Sequence, residues 1–526
     1  MSARRFVFLF LGVLTALRLV LISQVGLFPD EAYYYMWSER MDWSFFSKGP
    51  GVAAAMWLST HLCGSEEFGL RVLSPLLGLG TCLVLWSLAR RLYGESVAAW
   101  TVLMVNALPI FHVGSVVMTI DPLSIFFWAA ALAACWRALE DSPHFSWWWP
   151  ATGALIGLGF LAKYTNAMQL LSIALLLALT PRYRVEFKRA GFYAMLAVFV
   201  ACTIPVLVWN AQHDWVTLEH LSARGGLNTA WHLDFAEFGK FFALHFGVYS
   251  PLIFGAMLAA IGWGLPKAVH SFKARFLLAF ALPLLALYFW LALKQAGEAN
   301  WTAPATLSLG VLTVALWHDF AQKSAWARKY AIAALAVGAG MSLATLNLDV
   351  LRGLGIPLSY RRDPGTRMRG WGSAAAEIEQ VRAAFEHQFG QPVFLIANEH
   401  EVAASLAFYM QDKRIEGAGH PPVYIPAQPY FEDQFSFWPR YDELVELPPG
   451  QKSDDPIYTE EQGYNPFRGR TALYITDRAE EKAPASLKTG FARWEMIACI
   501  DQQRRGLPLR QLRVFACYDF LDPGVR

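Results

Sequence analysis

The sequence predicts a polytopic α-helical membrane protein of about 11 transmembrane helices carrying a C-terminal α/β soluble domain. Three observations predict it. Of 526 residues, 55% are hydrophobic and only 16% charged, where soluble globular chains carry about 25% charge. Apolar runs, many near the ~20 residues a helix needs to cross hydrocarbon, fill the chain as far as Val350. Just over half of the charged residues lie beyond that point, so the tail has the composition of a soluble domain. Net charge is 44 − 42 = +2, which leaves no electrostatic footprint for nucleic acid. The 21 Trp suit long membrane–water boundaries.

Arg4 and Arg5 precede the run 6–23, which no small-residue cleavage site follows, so it reads as an uncleaved first span. Further runs lie at 69–89, 96–117, 120–136, 147–162, 166–181, 190–209, 241–264, 276–293, 301–318 and 327–347. Gly51–Leu62 is too short to cross and is expected to lie along the interface. With that helix not crossing, Arg90/Arg91, Arg137, Arg182–Arg189, Lys267–Arg275 and Lys323–Lys329 all share the side of Arg4/Arg5, as the positive-inside rule requires. The N-terminus is therefore expected in the cytoplasm. Residues 1–349 form the membrane domain, with outer loops at 24–68 and 210–240, and 350–526 form the outer domain.

In the tail, Pro392–Ala397, Ala472–Thr476, Trp494–Ile500 and Leu512–Cys517 read as strands, and Glu399–Met410 carries a helical pattern. Gly417–Pro429 and Pro448–Pro466 are turn-rich and read as long loops. Cys63, Cys82, Cys135 and Cys202 stand singly in apolar stretches, as small hydrophobes do. Cys499 and Cys517 flank the turn signal Gly506-Leu507-Pro508, and a hairpin there could pair them in an oxidising compartment.

Ionisable groups beside a bilayer are costly, so their placement is informative. The predicted topology puts a set of them on one face. Asp30 and Glu31 follow the first span and precede Tyr33 and Tyr34; as helix-start acids they also suit a cap. Lys48 opens the interfacial helix, and Asp121 stands in Asp121-Pro122 at the start of a span. Lys163 ends the span that contains Gly153, Gly157 and Gly159. The loop 210–240 holds His213, Asp214, Glu219, His220 and Arg224, and Lys294, Glu298, Asn300 and Trp301 lie between two late spans. Carboxylates with several cations and two His on one face suit a reaction that needs a base and releases an anion.

The ordered series Asp30-Glu31 with a Tyr run, Lys48-Gly49-Pro50, Gly69-Leu70-Arg71, Ala89-Arg90-Arg91-Leu92-Tyr93-Gly94, Asp121-Pro122, Gly157–Lys163 and Trp209-Asn210–Trp215 resembles the polytopic GT-C type glycosyltransferases. The branch it resembles holds the dolichyl-phosphate-mannose protein mannosyltransferases and the bacterial lipid A aminoarabinose transferases. That resemblance implies a transferase taking a sugar from a polyprenyl-phosphate-linked donor to a lipid, glycan or protein acceptor. It also implies the outer face of a bacterial inner membrane, with the C-terminal domain periplasmic. By the same resemblance Asp30 is the general base, with Glu31 and Asp121 orienting or binding the acceptor. Lys48 neutralises the phosphate leaving group, with Arg224, His220 and Lys163 beside it. Tyr33, Tyr34, His213, Asn300 and Trp301 are candidate acceptor or sugar contacts.

Three departures stand out. Tyr33 replaces an Arg of the aminoarabinose branch, Lys48-Gly49-Pro50-Gly51 replaces Lys-Pro-Pro-Leu, and Ser47 stands where relatives can carry a metal-binding Glu. No cofactor is expected to be required; a divalent metal, if bound, would use His213 and His220. The alternative to a transferase is a transporter or flippase of a lipid-linked sugar, against which stands the absence of repeated halves. A membrane-anchored binding protein is the third reading, and the number of spans exceeds what anchoring needs. The basic stretch Arg361–Trp371, with Arg367 and Arg369, is a candidate acceptor or headgroup contact.

Overall fold

The computed structural model describes residues 2–142, 144–228, 230–356, 358–360, 363–428, 430–442, 465–478 and 485–521. It divides into two compact units: Met1–Gln24 with Met41–Ile356, and Val25–Arg40 with Pro357–Arg526.

Among the described residues the first unit holds helices and no strand. Among those residues five helices are long and apolar enough to cross a membrane: Glu67–Tyr93, Ile120–Glu140, Ala190–Gln212, Pro251–His270 and Phe272–Leu291. Ala3–Leu21, Ala303–Lys323 and Ala325–Leu346 are as long but more polar or charged. Gly51–Cys63 is a separate short helix, as its length implies. Two of the apolar runs are broken just ahead of a proline. The run 241–264 is broken between Phe235–Tyr249 and Pro251–His270, where Ser250 takes φ +68°. The run 96–117 is broken between Glu95–Asn106 and Pro109–Gly114. Each break falls one residue before a proline, which supplies no N–H and disfavours helical backbone in the residue ahead of it. Hydropathy, which averages over such a junction, does not register it.

Small residues set the closest helix approach. On Trp148–Ala162, a Cβ at Gly153 would lie 2.1 Å from the Met195 carbonyl oxygen, and one at Gly157 would lie 2.5 Å from Cys202 Cβ. The spacing of four residues puts both on one face, so the helix Ala190–Gln212 lies against it nearly backbone to backbone.

The second unit has a four-stranded sheet in the order β1-β2-β4-β3. Strand β1 is Phe394–Ala397, β2 Ala472–Thr476, β3 Phe491–Arg504 and β4 Leu507–Phe520. The pair β1/β2 is parallel and fully buried, and the other pairs are antiparallel. Helices Trp371–Phe389 and His400–Tyr409 belong to this unit, as does the helix Pro29–Ser38 from near the N-terminus. The loop expected over Pro448–Pro466 lies outside the described residues except at its last two positions.

The hairpin at Gly506 forms, with Arg505 and Gly506 both at positive φ, the geometry of a two-residue hairpin turn. Its register does not pair the cysteines. Cys499 faces Arg513 and Cys517 faces Trp494, and both thiols are free. Similar distance from a turn is not enough for a disulfide, because the ladder decides which residues face each other.

Candidate active site

In the helical unit the N-terminus of Ile120–Glu140 is capped by Thr119, whose hydroxyl accepts the Asp121 N–H at 3.3 Å. This leaves the Asp121 carboxylate to outside partners. Oδ1 meets Lys163 Nζ at 2.7 Å, and Oδ2 accepts from Asn300 Nδ2 at 2.8 Å. Lys163 is in extended backbone just past the helix Trp148–Ala162, and Asn300 sits in the 3-10 turn Ala299–Thr302. Two segments thus converge on the carboxylate at this helix start, and an acid bonded at both oxygens has its orientation fixed.

The lysine loop is seated on the same helix end. A Cβ at Gly49 would lie 2.4 Å from the Leu161 carbonyl oxygen, and one at Gly51 would lie 2.8 Å from Ala162 N. Only glycine permits this approach, which accounts for Gly49 and Gly51 where the family resemblance expects Pro and Leu. The loop closes on itself as Phe45 N–H and Ser44 Oγ donate to the Lys48 carbonyl at 3.0 and 3.2 Å. Ser44 Oγ is also 3.5 Å from Tyr164 Oη.

The helix Ala190–Gln212 turns into Val216–Arg224 through Asp214 and Trp215, both left-handed at φ 51° and 57°. That turn presents His220 and Arg224. The His220 ring lies 4.6 Å from Phe46, beside the lysine loop. Burial first, then the charges of Lys48 and Arg224, push the His220 imidazole down to about 4. Lys48 and Arg224 therefore each lie within electrostatic reach of His220. Arg224 stacks 5.6 Å over Trp301, which is itself packed so tightly on Gly297 that a Cβ there would lie 2.6 Å from the indole.

His213 stacks on Trp209 at 4.0 Å, and its Nδ1 is bonded to the Trp209 carbonyl at 2.8 Å. Trp209 in turn donates to Asp42 Oδ2 at 2.7 Å. Lys294 is buried and donates to the Gly226 carbonyl, anchoring the loop that follows Arg224. Among the described residues no group of three or more His, Cys, Asp or Glu is placed to hold a metal ion.

In the second unit, Phe28 N–H donates to Glu31 Oε2 at 2.8 Å, so fully buried Glu31 caps its own helix Pro29–Ser38. Asp30, half-buried, shares a helix face with Tyr33, Tyr34 and Trp37, at spacings of three, four and seven residues. Tyr34 packs edge-on to Trp37 at 4.9 Å. Tyr33 Oη accepts the Gln434 N–H at 2.6 Å, and its ring lies 4.6 Å from His400. His400 Nδ1 is 3.1 Å from Asp433 Oδ2. Burial opposes charge on His400, but the Asp433 carboxylate outweighs it, with Glu401 and Asp30 adding to the effect, and its pKa is raised. His400 and Asp433 were not among the residues the sequence singled out. The only signal was the polar run Asn398-Glu399-His400-Glu401 between a strand and a helix.

Arg361 and Arg362 of the basic stretch lie outside the described residues. Arg367 donates to both oxygens of Glu401 at 2.7 Å, and Arg369 to Asp363 at 2.9 Å.

Comparison with known proteins agrees with the motif reading. The dolichyl-phosphate-mannose-protein mannosyltransferase family model matches residues 47–209. The lipid A galacturonosyltransferase RgtD of Rhizobium johnstonii is 27% identical over 445 residues, covering 83% of this chain and 89% of that protein. The crystal structures of ArnT from Cupriavidus metallidurans, in the apo state and bound to undecaprenyl phosphate, each superpose with a TM-score of 0.62 at 18% identity over 98% of both chains. The fold is that of a GT-C-like membrane protein with a C-terminal small-sheet domain, and the resemblance to GT-C glycosyltransferases is borne out.

Proposed function

We propose that this chain transfers a galacturonosyl group from a polyprenyl-phosphate-linked donor to lipid A or a closely related lipid acceptor, with inversion at the anomeric carbon. The reaction takes place at the outer face of a bacterial inner membrane, with the N-terminus cytoplasmic and the C-terminal unit periplasmic. One observation supports the reaction class above the others: the His220 ring packs 4.6 Å from Phe46 beside the Lys48 loop, with the charges of Lys48 and Arg224 both acting on it, and a cluster of cations is what a departing phosphate needs. The sugar and the acceptor class follow the relative RgtD, which is alike over most of both chains.

In this reading the acceptor hydroxyl attacks the anomeric carbon as the bond from that carbon to the phosphate oxygen breaks. The hydroxyl proton passes to the Asp30 carboxylate, and the electron pair of the broken bond leaves with the polyprenyl phosphate. Lys48 and Arg224 hold the phosphate oxygens as their charge grows, and neutral His220 can donate or accept a hydrogen bond there. Asp121, held by Lys163 and Asn300, presents a fixed acceptor to a sugar or acceptor hydroxyl. Direct displacement needs no covalent sugar–enzyme intermediate and no metal.

The test is turnover of a panel of radiolabelled polyprenyl-phosphate sugars by purified protein in nanodiscs, with lipid A as acceptor. Galacturonate transfer that is lost in Asp30→Asn and Lys48→Ala supports the reading. Transfer of an aminoarabinosyl or neutral hexosyl donor instead would reassign the sugar. Retained transfer in both variants would remove the assigned roles.

A further inference from the structure

Asn300 reaches Asp121 from the 3-10 turn Ala299–Thr302, and so short a turn does not hold its own place. What fixes it lies at its two buried ends. The hydroxyl oxygen of Thr302 is 3.0 Å from His245 Nε2 and 2.8 Å from Tyr249 Oη, and Tyr249 Oη is also 3.2 Å from the Ala299 carbonyl oxygen. His245, Tyr249 and Thr302 are all fully buried. His245 and Tyr249 stand four residues apart, so they share one face of the helix Phe235–Tyr249. That helix stops at Tyr249, where Ser250 takes φ +68° ahead of Pro251.

The bonds around His245 have a direction. Its Nδ1 lies 2.8 Å from the Phe241 carbonyl, one turn back on the same helix, and a carbonyl can only accept. Nδ1 therefore carries the proton, and Nε2 of the neutral ring accepts from the Thr302 hydroxyl. The Thr302 oxygen is left to accept from Tyr249.

We infer that His245 and Thr302 are positioning residues for the transfer reaction: they anchor the turn Ala299–Thr302 and so hold Asn300 against Asp121. This inference rests on the transferase reading above, in which Asp121 meets a substrate hydroxyl.

The contacts run without a gap from His245 to the carboxylate. His245 fixes Thr302, two residues from Asn300, and Asn300 Nδ2 donates to Asp121 Oδ2 at 2.8 Å. Lys163 holds only Oδ1. A turn released from His245 withdraws the Oδ2 donor, and the carboxylate is then free to rotate about its bond to Lys163. Neither His245 nor Thr302 touches substrate in this arrangement; each acts through Asn300.

The experiment measures kcat/KM with full-length enzyme in nanodiscs for wild type, Thr302→Val, Thr302→Ser and His245→Phe, each also combined with Asn300→Ala. Thr302→Val replaces the hydroxyl by a methyl of similar shape. It and His245→Phe are each expected to lower kcat/KM about tenfold, and to add less than about twofold once Asn300 is Ala. Thr302→Ser keeps the hydroxyl and is expected to recover most of the loss. Equal losses in both backgrounds would show a general loosening of the fold and overturn the proposal, as would Thr302→Ser as slow as Thr302→Val. A second readout needs no turnover: the carboxylate 13C resonance of Asp121 in aspartate-labelled protein, assigned by its loss in Asp121→Asn. It is expected to move in Thr302→Val and Asn300→Ala and to stay in Thr302→Ser. An unmoved resonance in Thr302→Val overturns the proposal. Absent turnover of every donor, with the resonance moved, overturns the transferase reading and leaves the link from Thr302 to Asp121 standing.

Discussion

Lys163 Nζ lies 2.7 Å from Asp121 Oδ1, with the two side chains only 8% and 18% exposed. An ion pair so little hydrated depends on both members, because removing one leaves a poorly hydrated charge without its counter-ion. In the proposed reaction the pair works as a unit: Lys163 holds the carboxylate, and Asp121 meets the substrate. Asp121→Asn and Lys163→Met are each expected to lower kcat/KM by roughly 10²-fold, and the double variant by little more, a coupling of about 2–3 kcal/mol. Steady-state kinetics of the three variants checks this; losses that simply multiply would show that the two residues act independently.

How much of this was legible in the sequence depends on the physics of each residue's surroundings. Asp121, Lys163 and Asn300 were visible because a polar group at the end of an apolar run is costly and stands out. That they meet was not visible: 42 residues separate Asp121 from Lys163 and 179 separate it from Asn300, and no local periodicity encodes such contacts. His400 failed the opposite way. In a soluble domain a charged residue on a helix start is ordinary, so nothing set it apart until Asp433 and Tyr33 were seen around it. Glu31 was noticed as an acid of the pair, while its bond to Phe28 N–H shows a capping role that the sequence also allowed. The strands of the C-terminal unit were readable from their β-rich runs, whereas the break at Ser250 was hidden inside an unbroken apolar stretch.

His220 gives a pH prediction with a definite sign. Its imidazole ordinarily titrates near 6.5, and burial with the charges of Lys48 and Arg224 pushes it down to about 4 in the folded protein. The folded state thus binds fewer protons than the unfolded one between those values. Stability from this group is present above pH 6.5 and falls as pH drops toward 4. An anion bound beside Lys48 and Arg224 relieves the repulsion and raises the His220 pKa, so binding takes up protons in that window. Calorimetry of polyprenyl phosphate binding in two buffers of different ionisation enthalpy should show this uptake at pH 5.5. In His220→Gln the uptake should shrink to what the phosphate itself contributes; an unchanged value would place His220 away from the bound phosphate.

The two cysteines of the β3–β4 hairpin should behave as separate thiols. Cys499 is exposed, while Cys517 is 1% exposed and its thiol is pushed up to about 12 by burial. Native protein treated with maleimide, with and without prior reduction, should be modified at Cys499 and spared at Cys517 in both cases by peptide mass mapping. Labelling at Cys499 that requires reduction would mean that a disulfide forms despite the register.

The seating of the lysine loop can be tested through Gly49, whose missing side chain permits the loop to touch the end of the helix Trp148–Ala162. A Cβ there would lie 2.4 Å from a carbonyl oxygen of Leu161, and backbone cannot swing aside as a flexible side chain can. In Gly49→Ala the loop must lift, taking with it Lys48, whose carbonyl is tied to Phe45 and Ser44 within the same loop. Because Lys48 is assigned to the donor phosphate, the expected result is a donor KM raised about tenfold with a smaller change in kcat. This is the signature of lost donor binding, since a contact made only in the transition state would lower kcat instead. Gly262→Ala is the control: no heavy atom lies within 4 Å of a Cβ there, and the helix gains about 0.5–1 kcal/mol of propensity without touching the site. Equal donor KM in Gly49→Ala and wild type would mean that the loop tolerates displacement and that Lys48 does not depend on this seat.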